Sequence, residues 1–243
     1  MSKIDNTEHG DRTNKKINIM EEFIWEPECY PGFKETVEKE VFEDKIYSKF
    51  QDVEEGDVVF DIGASIGPFT YSILHKNPAQ VFAFEPSFEE FKTLVLNTRH
   101  GNVTAINKGV SSTVGEFVFD NVFDDDKGAK MYSTTFMKII KDYNITKIDF
   151  LKTDCEGGEY DIFTIENLIW IKENVKYIVG EWHLGTLELK QKFKEFRDVF
   201  LRVFPNHEVF SIDGCNIKWD LWNDHFIDYY SEVMIYIKVK TLI

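Results

Sequence analysis

One stretch of about thirty residues constrains the fold more than any other part of the chain. Residues 58–62 form a continuous apolar run that ends in a glycine turn at 63–67, and a helical segment then leads to a second apolar run that closes on Glu85. Continuous apolar runs of this length are typical of strands buried on both faces of a parallel sheet. In such a sheet the glycine turn and the acid lie side by side at the carboxyl ends of neighbouring strands, where nucleotide-like ligands bind.

The same alternation of strand and helix continues along the chain. Five strands followed by helical patterns predict a doubly wound α/β domain. Two final strand-like runs lack a long helix between them, so we expect them to pair as antiparallel neighbours at a sheet edge. Residues 109–131 are interpreted as loop with a small hairpin at 116–119. The predicted strands are 58–62, 81–84, 103–106, 148–153, 177–180, 208–212 and 232–239, and the predicted helices include 35–50, 67–75, 136–143, 160–170 and 187–204.

Charge limits the partners that this chain can bind. It has 43 acidic and 28 basic residues, a formal net charge of −15, and no Lys/Arg run. A surface of this sign repels nucleic acid and anionic membranes, so we expect neither as a partner. Residues 1–57 alone hold 16 acids and eight basic residues. This acidic segment favours a neutral acceptor over a polyanionic one.

The length of 243 residues is sufficient for one domain with appendages. We expect a flexible arm at 1–18, a cap segment at 19–57 and a ligand-binding domain at 58–243. The three cysteines form no CxxC pair, which argues against a disulfide framework or a structural zinc site and favours a reducing compartment. The amino terminus lacks a signal-peptide core, and no apolar run has the length of a membrane span. The sequence therefore predicts a soluble, cytoplasmic protein.

The glycine turn differs from the dinucleotide fingerprint. Gly63 and Gly67 allow a sharp turn and a close backbone approach to a ligand, and the following helix offers free N–H groups. The fingerprint requires GxGxxG, whereas this turn has an acid, Asp61, and the spacing DxGxxxG. Glu85 is an acceptor-only fork that suits the two hydroxyls of a ribose. The alternative is a purely structural role, in which Glu85 only complements the dipole of the helix that begins near Ser87.

Three motifs together resemble the FkbM family of S-adenosylmethionine-dependent methyltransferases. They are VVFDIGASIG at 58–67, AFEP at 83–86 and DFLKTDCEGGE at 149–159, and the resemblance extends over about residues 57–183. The family usually has Asn at Ser65, Val or Ile at Cys155 and Ala at Gly158. The resemblance implies the class I methyltransferase fold, a Rossmann-like three-layer sandwich whose seven-stranded, mostly parallel sheet has an antiparallel last strand.

The resemblance also implies roles for individual residues around S-adenosylmethionine. It places the methionine end of the cofactor at the glycine turn, the ribose at the end of the second strand, the adenine near the turn that follows the third strand, and the sulfonium beside the acid that follows the fourth. The methionine end would contact Asp61, Gly63, Ala64 and Gly67, and the ribose would contact Glu85 and Pro86. The adenine would lie near Val110 and Ser111, and the sulfonium would lie beside Asp154.

Methyl transfer to a hydroxyl needs a proton acceptor or a metal that lowers the hydroxyl pKa. The candidate catalytic residues are Asp154, after the fourth strand, and Glu181 and His183, after the fifth. Glu181 and His183 point the same way on an extended segment because they are two residues apart. A His183 base oriented by a glutamate is one interpretation, and a divalent ion held by all three residues is another.

Structural roles compete with these assignments. Glu156 and Glu159 stand where a helix is predicted to begin and can simply complement its dipole. Lys152 shares a strand face with Asp154, and a buried lysine must be paired, so these two residues can form a structural ion pair.

We therefore expect an O-methyltransferase that acts on a sugar, a glycan or another small neutral acceptor with a hydroxyl group. The oxygen preference follows from the family resemblance. An NAD-dependent Rossmann oxidoreductase and a non-catalytic binding module that retains the fold are the alternatives. We expect the acceptor site to be formed by residues 25–50, 123–132 and 219–230.

Overall fold

The computed structural model describes five stretches of the chain, and the predicted arm at 1–18 lies outside them, as does the segment 119–129. None of the helices in these stretches is both long and apolar enough to cross a membrane. The described residues are 23–27, 29–118, 130–205, 207–211 and 214–239.

The described residues form ten strands and eight α-helices. The strands are β1 (Val58–Ile62), β2 (Gln80–Phe84), β3 (Val103–Ile106), β4 (Gly109–Val110), β5 (Gly115–Val118), β6 (Lys130–Thr134), β7 (Ile148–Thr153), β8 (Val175–His183), β9 (His207–Ser211) and β10 (Glu232–Lys238). The helices are α1 (Phe33–Val37), α2 (Pro68–Ile73), α3 (Phe88–Thr98), α4 (Phe136–Asp142), α5 (Glu159–Ile162), α6 (Ile165–Asn174), α7 (Leu187–Val203) and α8 (Asp224–Tyr229).

A seven-stranded sheet forms the middle layer, in the order β3-β2-β1-β7-β8-β10-β9. Every neighbouring pair is parallel except those made by β10, which is antiparallel to both β8 and β9. The predicted mostly parallel sheet with an antiparallel last strand is therefore confirmed. The predicted antiparallel pairing of the two final strands is also correct, although only β9 occupies the edge.

Both faces of the sheet are covered, which explains the continuous apolar runs in the sequence. Within β1, Phe60 and Ile62 join the core cluster that includes helices α4, α6 and α7, whereas Val59 joins the cluster beneath the N-terminal segment. Phe23 and Phe33 of the predicted cap belong to this second cluster. Burial on both sides selects apolar residues at consecutive positions and not at alternate ones.

Two predicted helices are wrong as single elements. The segment predicted as one helix over 35–50 contains α1, a π-helical stretch at Glu38–Glu43 and a 3₁₀ turn at Ile46–Ser48. The helix predicted over 160–170 is two helices, α5 and α6, because Thr164 adopts an extended conformation and caps α6 by accepting a hydrogen bond from the Asn167 N–H. Each of the two segments is therefore divided into shorter elements where the apolar spacing predicted one continuous helix.

Three further elements differ from the sequence-based expectation. Strand β8 continues to His183, three residues beyond its predicted end, because β10 pairs with it as far as Glu232. Strand β6 was not predicted, and it joins β4 and β5 in a second, three-stranded sheet. The segment 214–230 contains the short helix α8 although its sequence has no clear helical stripe.

Candidate active site

The glycine turn is held in a left-handed conformation between β1 and α2. Gly63 and Gly67 have φ of +77° and +89°, and Ser65 between them has φ of +49°. A Cβ on Gly63 would lie 1.6 Å from the carbonyl oxygen of Asp154, so the turn lies directly against the end of β7. The backbone N–H groups of Gly63 and Ala64 both donate to the carbonyl of Phe84. These contacts fix the turn to the carboxyl ends of both neighbouring strands.

A buried ion pair supports the turn from below. Asp61 is fully buried, and its carboxylate accepts a hydrogen bond from the Thr70 hydroxyl at 2.7 Å and lies 3.1 Å from Lys152 Nζ. The same Nζ donates to the carbonyl of Gly63 at 2.5 Å. Burial alone would lower the pKa of Lys152, but Asp61 and Asp154 outweigh it and raise the pKa. Lys152 is therefore a cation that ties Asp61 to the turn.

The structural ion pair considered for Lys152 thus has a different principal partner. Lys152 Nζ lies 3.9 Å from Asp154 Oδ2, farther than from Asp61. Direct contact of Asp61 with the cofactor stays a prediction.

Glu85 lies at the end of β2, next to the glycine turn. Its two carboxylate oxygens each accept one backbone N–H, from Ser65 and from Ser87, both at 2.8 Å. Burial, followed by the charge of Glu90, raises the pKa of Glu85 well above its usual range. Each carboxylate oxygen has a second lone pair, so the group can still accept a ligand hydroxyl. The neighbouring Pro86 is held by the Asn107 amide, which donates to its carbonyl at 3.0 Å.

The turn after β3 adjoins the same region. A Cβ on Gly109 would lie 3.6 Å from Pro86 Cβ, and one on Gly158 would lie 4.0 Å from the carbonyl oxygen of Val110. The Ser111 hydroxyl donates to Asp161 Oδ2 at 2.9 Å. The segments predicted to surround the cofactor are therefore contiguous at one edge of the sheet.

Asp154 and His183 lie together beyond this edge. His183 Nε2 is 3.9 Å from Asp154 Oδ1 and 3.5 Å from Glu156 Oε2, while Nδ1 is 3.2 Å from Glu159 Oε1. Burial acts to lower the pKa of His183, but Glu159, Asp154 and Glu156 raise it well above its usual value. His183 therefore lies among three acidic side chains, with Glu159 on Nδ1 and with Asp154 and Glu156 near Nε2.

Glu159 has a function that its position at the start of a helix did not indicate. It is fully buried, and Oε1 accepts the backbone N–H of Cys155 at 2.8 Å as well as facing His183 Nδ1. A carboxylate on Nδ1 fixes the imidazole orientation and leaves Nε2 directed at the site.

Tyr47 reaches the site from the predicted cap. Its hydroxyl donates to Asp154 Oδ2 at 2.6 Å, and its ring is buried and lies edge-on to Phe69 at 5.5 Å. Burial, together with the charge of Asp154, raises the pKa of Tyr47 well above its usual value, so the phenol stays protonated and acts as a donor. This contact could not be predicted from the sequence, because it joins residues 107 positions apart.

The proposed metal ligands are only partly brought together as predicted. The ligand atoms of Glu181, His183 and Glu232 all lie within 4.8 Å of one another, whereas this group does not include Asp154. Glu181 and Glu232 also line a cleft of about 250 Å³ with Glu40 and Asp44. Burial and the charge of Asp154 raise the pKa of Glu181 well above its usual range. Glu232 could not be identified as a site residue from the sequence, because its position depends on the register of β8 against β10.

The chain was compared with known families and structures. Residues 61–207 match the methyltransferase FkbM domain. The chain is 28% identical over 154 residues to the hexuronic acid methyltransferase AglP of Haloferax volcanii, an alignment that covers 59% of this chain and 63% of that relative. The chain thus spans about three fifths of the length of this curated relative.

Among solved structures, the chain is similar to an rRNA methylase from Streptococcus thermophilus, with a TM-score of 0.46, 11% identity and coverage of 77% of this chain and 90% of the other. It is also similar to a putative rRNA methylase from Clostridium thermocellum, with a TM-score of 0.45, 15% identity and coverage of 76% and 90%. The family match covers more than half of the chain, including the glycine turn, Glu85 and the cluster around His183. The chain therefore belongs to the FkbM methyltransferase family.

Proposed function

We propose that this chain transfers a methyl group from S-adenosylmethionine to a hydroxyl group of a neutral sugar-like acceptor. One observation carries the proposal: the glycine turn with Glu85 and the cluster of Asp154 with His183 lie next to each other at the carboxyl edge of one sheet. A Cβ on Gly63 would meet the Asp154 carbonyl, so these two halves of the site are in direct contact. A cofactor subsite thus adjoins a group of acids suited to a reacting hydroxyl.

The residues present fit this cofactor better than a dinucleotide. S-adenosylmethionine supplies an electrophilic methyl group on a positively charged sulfur. Glu85 and Asp154 both adjoin the glycine turn, and Lys152 is committed to Asp61 and to the Gly63 carbonyl. Carboxylates stabilise a bound cation and repel a pyrophosphate. Glu85 and the turn at 63–67 would hold the ribose and the methionine end, and Val110 with Ser111 would flank the adenine.

The side chains around His183 provide the route for the hydroxyl proton. As the new O–CH₃ bond forms, the S–CH₃ bond breaks and its electron pair stays on sulfur, which leaves as the neutral thioether. The acceptor oxygen loses its proton, which passes to the cluster of Asp154, Glu181 and His183 and then to water. Closely coupled groups of this kind titrate as a unit and not as separate residues. Glu159 and Tyr47 hold His183 and Asp154 in place, and in-line placement of the hydroxyl supplies most of the rate enhancement.

The acidic side chains of the cleft beside this cluster favour a neutral acceptor. Four carboxyl groups line it, those of Glu40, Asp44, Glu181 and Glu232, and its lysine, Lys39, lies 3.1 Å from Asp44. An anionic acceptor would meet like charges on several sides. The relative AglP is named for a hexuronic acid, which supports a sugar acceptor, whereas the acids of this cleft favour a sugar without its carboxylate.

The first test is direct. The protein is incubated with isotopically labelled S-adenosylmethionine and a matched set of acceptors, in which a hexose glycoside and the corresponding hexuronic acid differ only at the carboxylate. Mass spectrometry should find the label on an oxygen of the neutral sugar. Label on a nitrogen, or transfer to the hexuronic acid alone, would contradict the proposed acceptor. Binding of S-adenosylhomocysteine without turnover on any acceptor would support a binding module instead.

Asp154→Asn and His183→Gln should each lower kcat by about 10²–10⁴-fold, because each removes a group that handles the hydroxyl proton. S-adenosylhomocysteine affinity, measured by calorimetry, should change much less for His183→Gln than kcat does. His225→Gln, which replaces an exposed histidine on α8, is the matched control. Unchanged turnover in both site variants would remove these residues from the mechanism.

Tyr47→Phe should lower kcat about 10–100-fold by releasing Asp154, since displacements of about 1 Å at a reacting centre have effects of this size. Tyr47 is a positioning residue, so KM for the acceptor and cofactor affinity should change less than kcat. Tyr236→Phe is the control, because it removes another hydroxyl that anchors the same segment, through the Ile46 carbonyl at 2.8 Å, without contacting Asp154. Equal kcat losses in the two variants would show a general effect on the segment.

A further inference from the structure

Two strands bring three ligand-type side chains to one face of the sheet. Glu181 and His183 are two residues apart on β8, and Glu232 of β10 is directly opposite His183 in the antiparallel register. One ligand atom from each residue lies within 4.8 Å of one from each of the others. Side chains that converge in this way from a rigid sheet can chelate an ion without rearrangement of the backbone.

His183 has the environment of a metal-binding histidine. Glu159 Oε1 contacts Nδ1 at 3.2 Å, which leaves Nε2 available as a ligand. Histidines that bind metals usually donate their other ring N–H to a carboxylate or carbonyl in this manner. The second oxygen of Glu159, Oε2, is buried and has no hydrogen-bond partner among the described residues. A buried carboxylate left half-satisfied is stabilised by additional positive charge next to its imidazole partner.

Glu181 and Glu232 bring two carboxyl groups close together. Glu181 and Glu232 project from neighbouring strands on the same face, in diagonal positions whose long side chains can reach each other. Lys39, which lines the same cleft, is directed to Asp44. A bound cation would satisfy both glutamates at once.

We propose that Glu181, His183 and Glu232 bind a divalent first-row cation of the Mn²⁺ type. Two carboxylates are hard ligands that Mg²⁺ and Mn²⁺ accept, and the imidazole favours Mn²⁺ of the two. This ligand set differs from the one predicted from the sequence: Glu232 replaces Asp154, whose Oδ2 is held by the Tyr47 hydroxyl at 2.6 Å.

Three protein ligands leave coordination positions for water or for an acceptor. A hydroxyl bound there would have a lowered pKa and would release its proton more easily during attack. The inference concerns ion binding and stands without the proposed methyl transfer, since the three ligands lie together in the protein without its cofactor.

The test uses the full chain, treated with EDTA and dialysed, without cofactor or acceptor. Mn²⁺ is titrated by calorimetry, and bound Mn²⁺ is counted by loss of the free-ion electron paramagnetic resonance signal. We expect one ion per chain. Glu181→Gln and Glu232→Gln should each weaken binding about 100-fold or more, and Glu159→Gln, which leaves all three ligands, about 10–100-fold. Glu208→Gln, on the neighbouring strand β9, should bind as the unaltered protein does.

Thermal unfolding gives a second, independent measurement for the same variants. Without Mn²⁺, Glu232→Gln should be at least as stable as the unaltered protein, because it relieves repulsion with Glu181. With Mn²⁺ in excess, the unaltered protein and Glu208→Gln should gain the most Tm, Glu159→Gln less, and Glu181→Gln and Glu232→Gln the least. Absence of binding at millimolar Mn²⁺, or equal binding by Glu232→Gln, would overturn the inference. Methyl transfer that survives EDTA in a protein that binds Mn²⁺ would leave the site intact but separate it from catalysis.

Discussion

Lys152→Met is expected to lower the free energy of unfolding by about 3–5 kcal/mol, the usual loss when one partner of a buried ion pair is removed. Asp61, which is fully buried, would be left with only the Thr70 hydroxyl as a partner for its carboxyl group. The Gly63 carbonyl would also lose its donor. Urea denaturation followed by circular dichroism measures the change.

Two variants separate the buried pair from general effects of losing a lysine. Lys176→Met breaks the exposed pair with Glu54, at 3.5 Å, and should lose no more than about 1 kcal/mol. The double variant Asp61→Asn, Lys152→Met removes both charges and should recover a substantial part of the stability lost by Lys152→Met alone. If the double variant is as unstable as the single one, the loss does not come from the unpaired carboxylate.

Gly63→Ala is expected to have the second large effect, a loss of about 2–4 kcal/mol of stability from overlap and backbone strain combined. The new Cβ would lie 1.6 Å from the Asp154 carbonyl oxygen, so either the turn or the end of β7 must move. Both possibilities separate the two halves of the site. S-adenosylhomocysteine binding, followed by calorimetry, should therefore fall together with Tm.

Gly56→Ala isolates the contribution of the backbone conformation. Gly56 has φ of +84°, close to that of Gly63, but a Cβ there meets nothing within 4 Å. Its substitution should cost about 1–2 kcal/mol, the typical penalty for the left-handed conformation, and should leave ligand binding unchanged. Equal losses at the two glycines would mean that contact with Asp154 has no energetic importance.

The sequence sufficed to predict the central strands because their environment is the same along their whole length. Strands β1, β2 and β7 are buried on both faces, so each is a continuous apolar run that single-residue patterns detect. Strand β6 could not be found in this way: its side chains alternate between exposed Tyr132 and buried Met131, and Lys130 begins it. Such a short strand is defined by its pairing with β5 and β4, which the sequence does not specify.

The helical errors have a similar physical origin. Residues 160–170 have the apolar spacing of one helix, yet Thr164 breaks it by accepting a hydrogen bond from the Asn167 N–H. Threonine is favoured at an N-cap but also occurs inside helices, so its presence in the sequence does not by itself mark a break. In the N-terminal segment, the π-helical stretch shifts the register of the side chains and ends the regular 3.6-residue period.

The sequence predicted the parts of the candidate site that are formed by residues close together in the chain. It did not predict the parts that depend on contacts between distant elements. The turn at 63–67 and Glu85 lie within one strand–helix–strand unit, and the structure brings them together as expected. Tyr47, Glu159 and Glu232 contribute through contacts between distant elements. Glu159 was visible in the sequence, but its alternative role at a helix start was equally consistent with its position.

Tyr47 and Glu232 also have a consequence for how such enzymes diversify. Both lie outside residues 61–207, the part of the chain that matches the family, yet one holds Asp154 and the other faces His183. The shared core thus carries the glycine turn and Glu85, while the flanking segments complete the surroundings of Asp154 and His183. Mutation of these flanks can change the acceptor without disturbing the cofactor half, so relatives with closely similar cores need not methylate the same molecule.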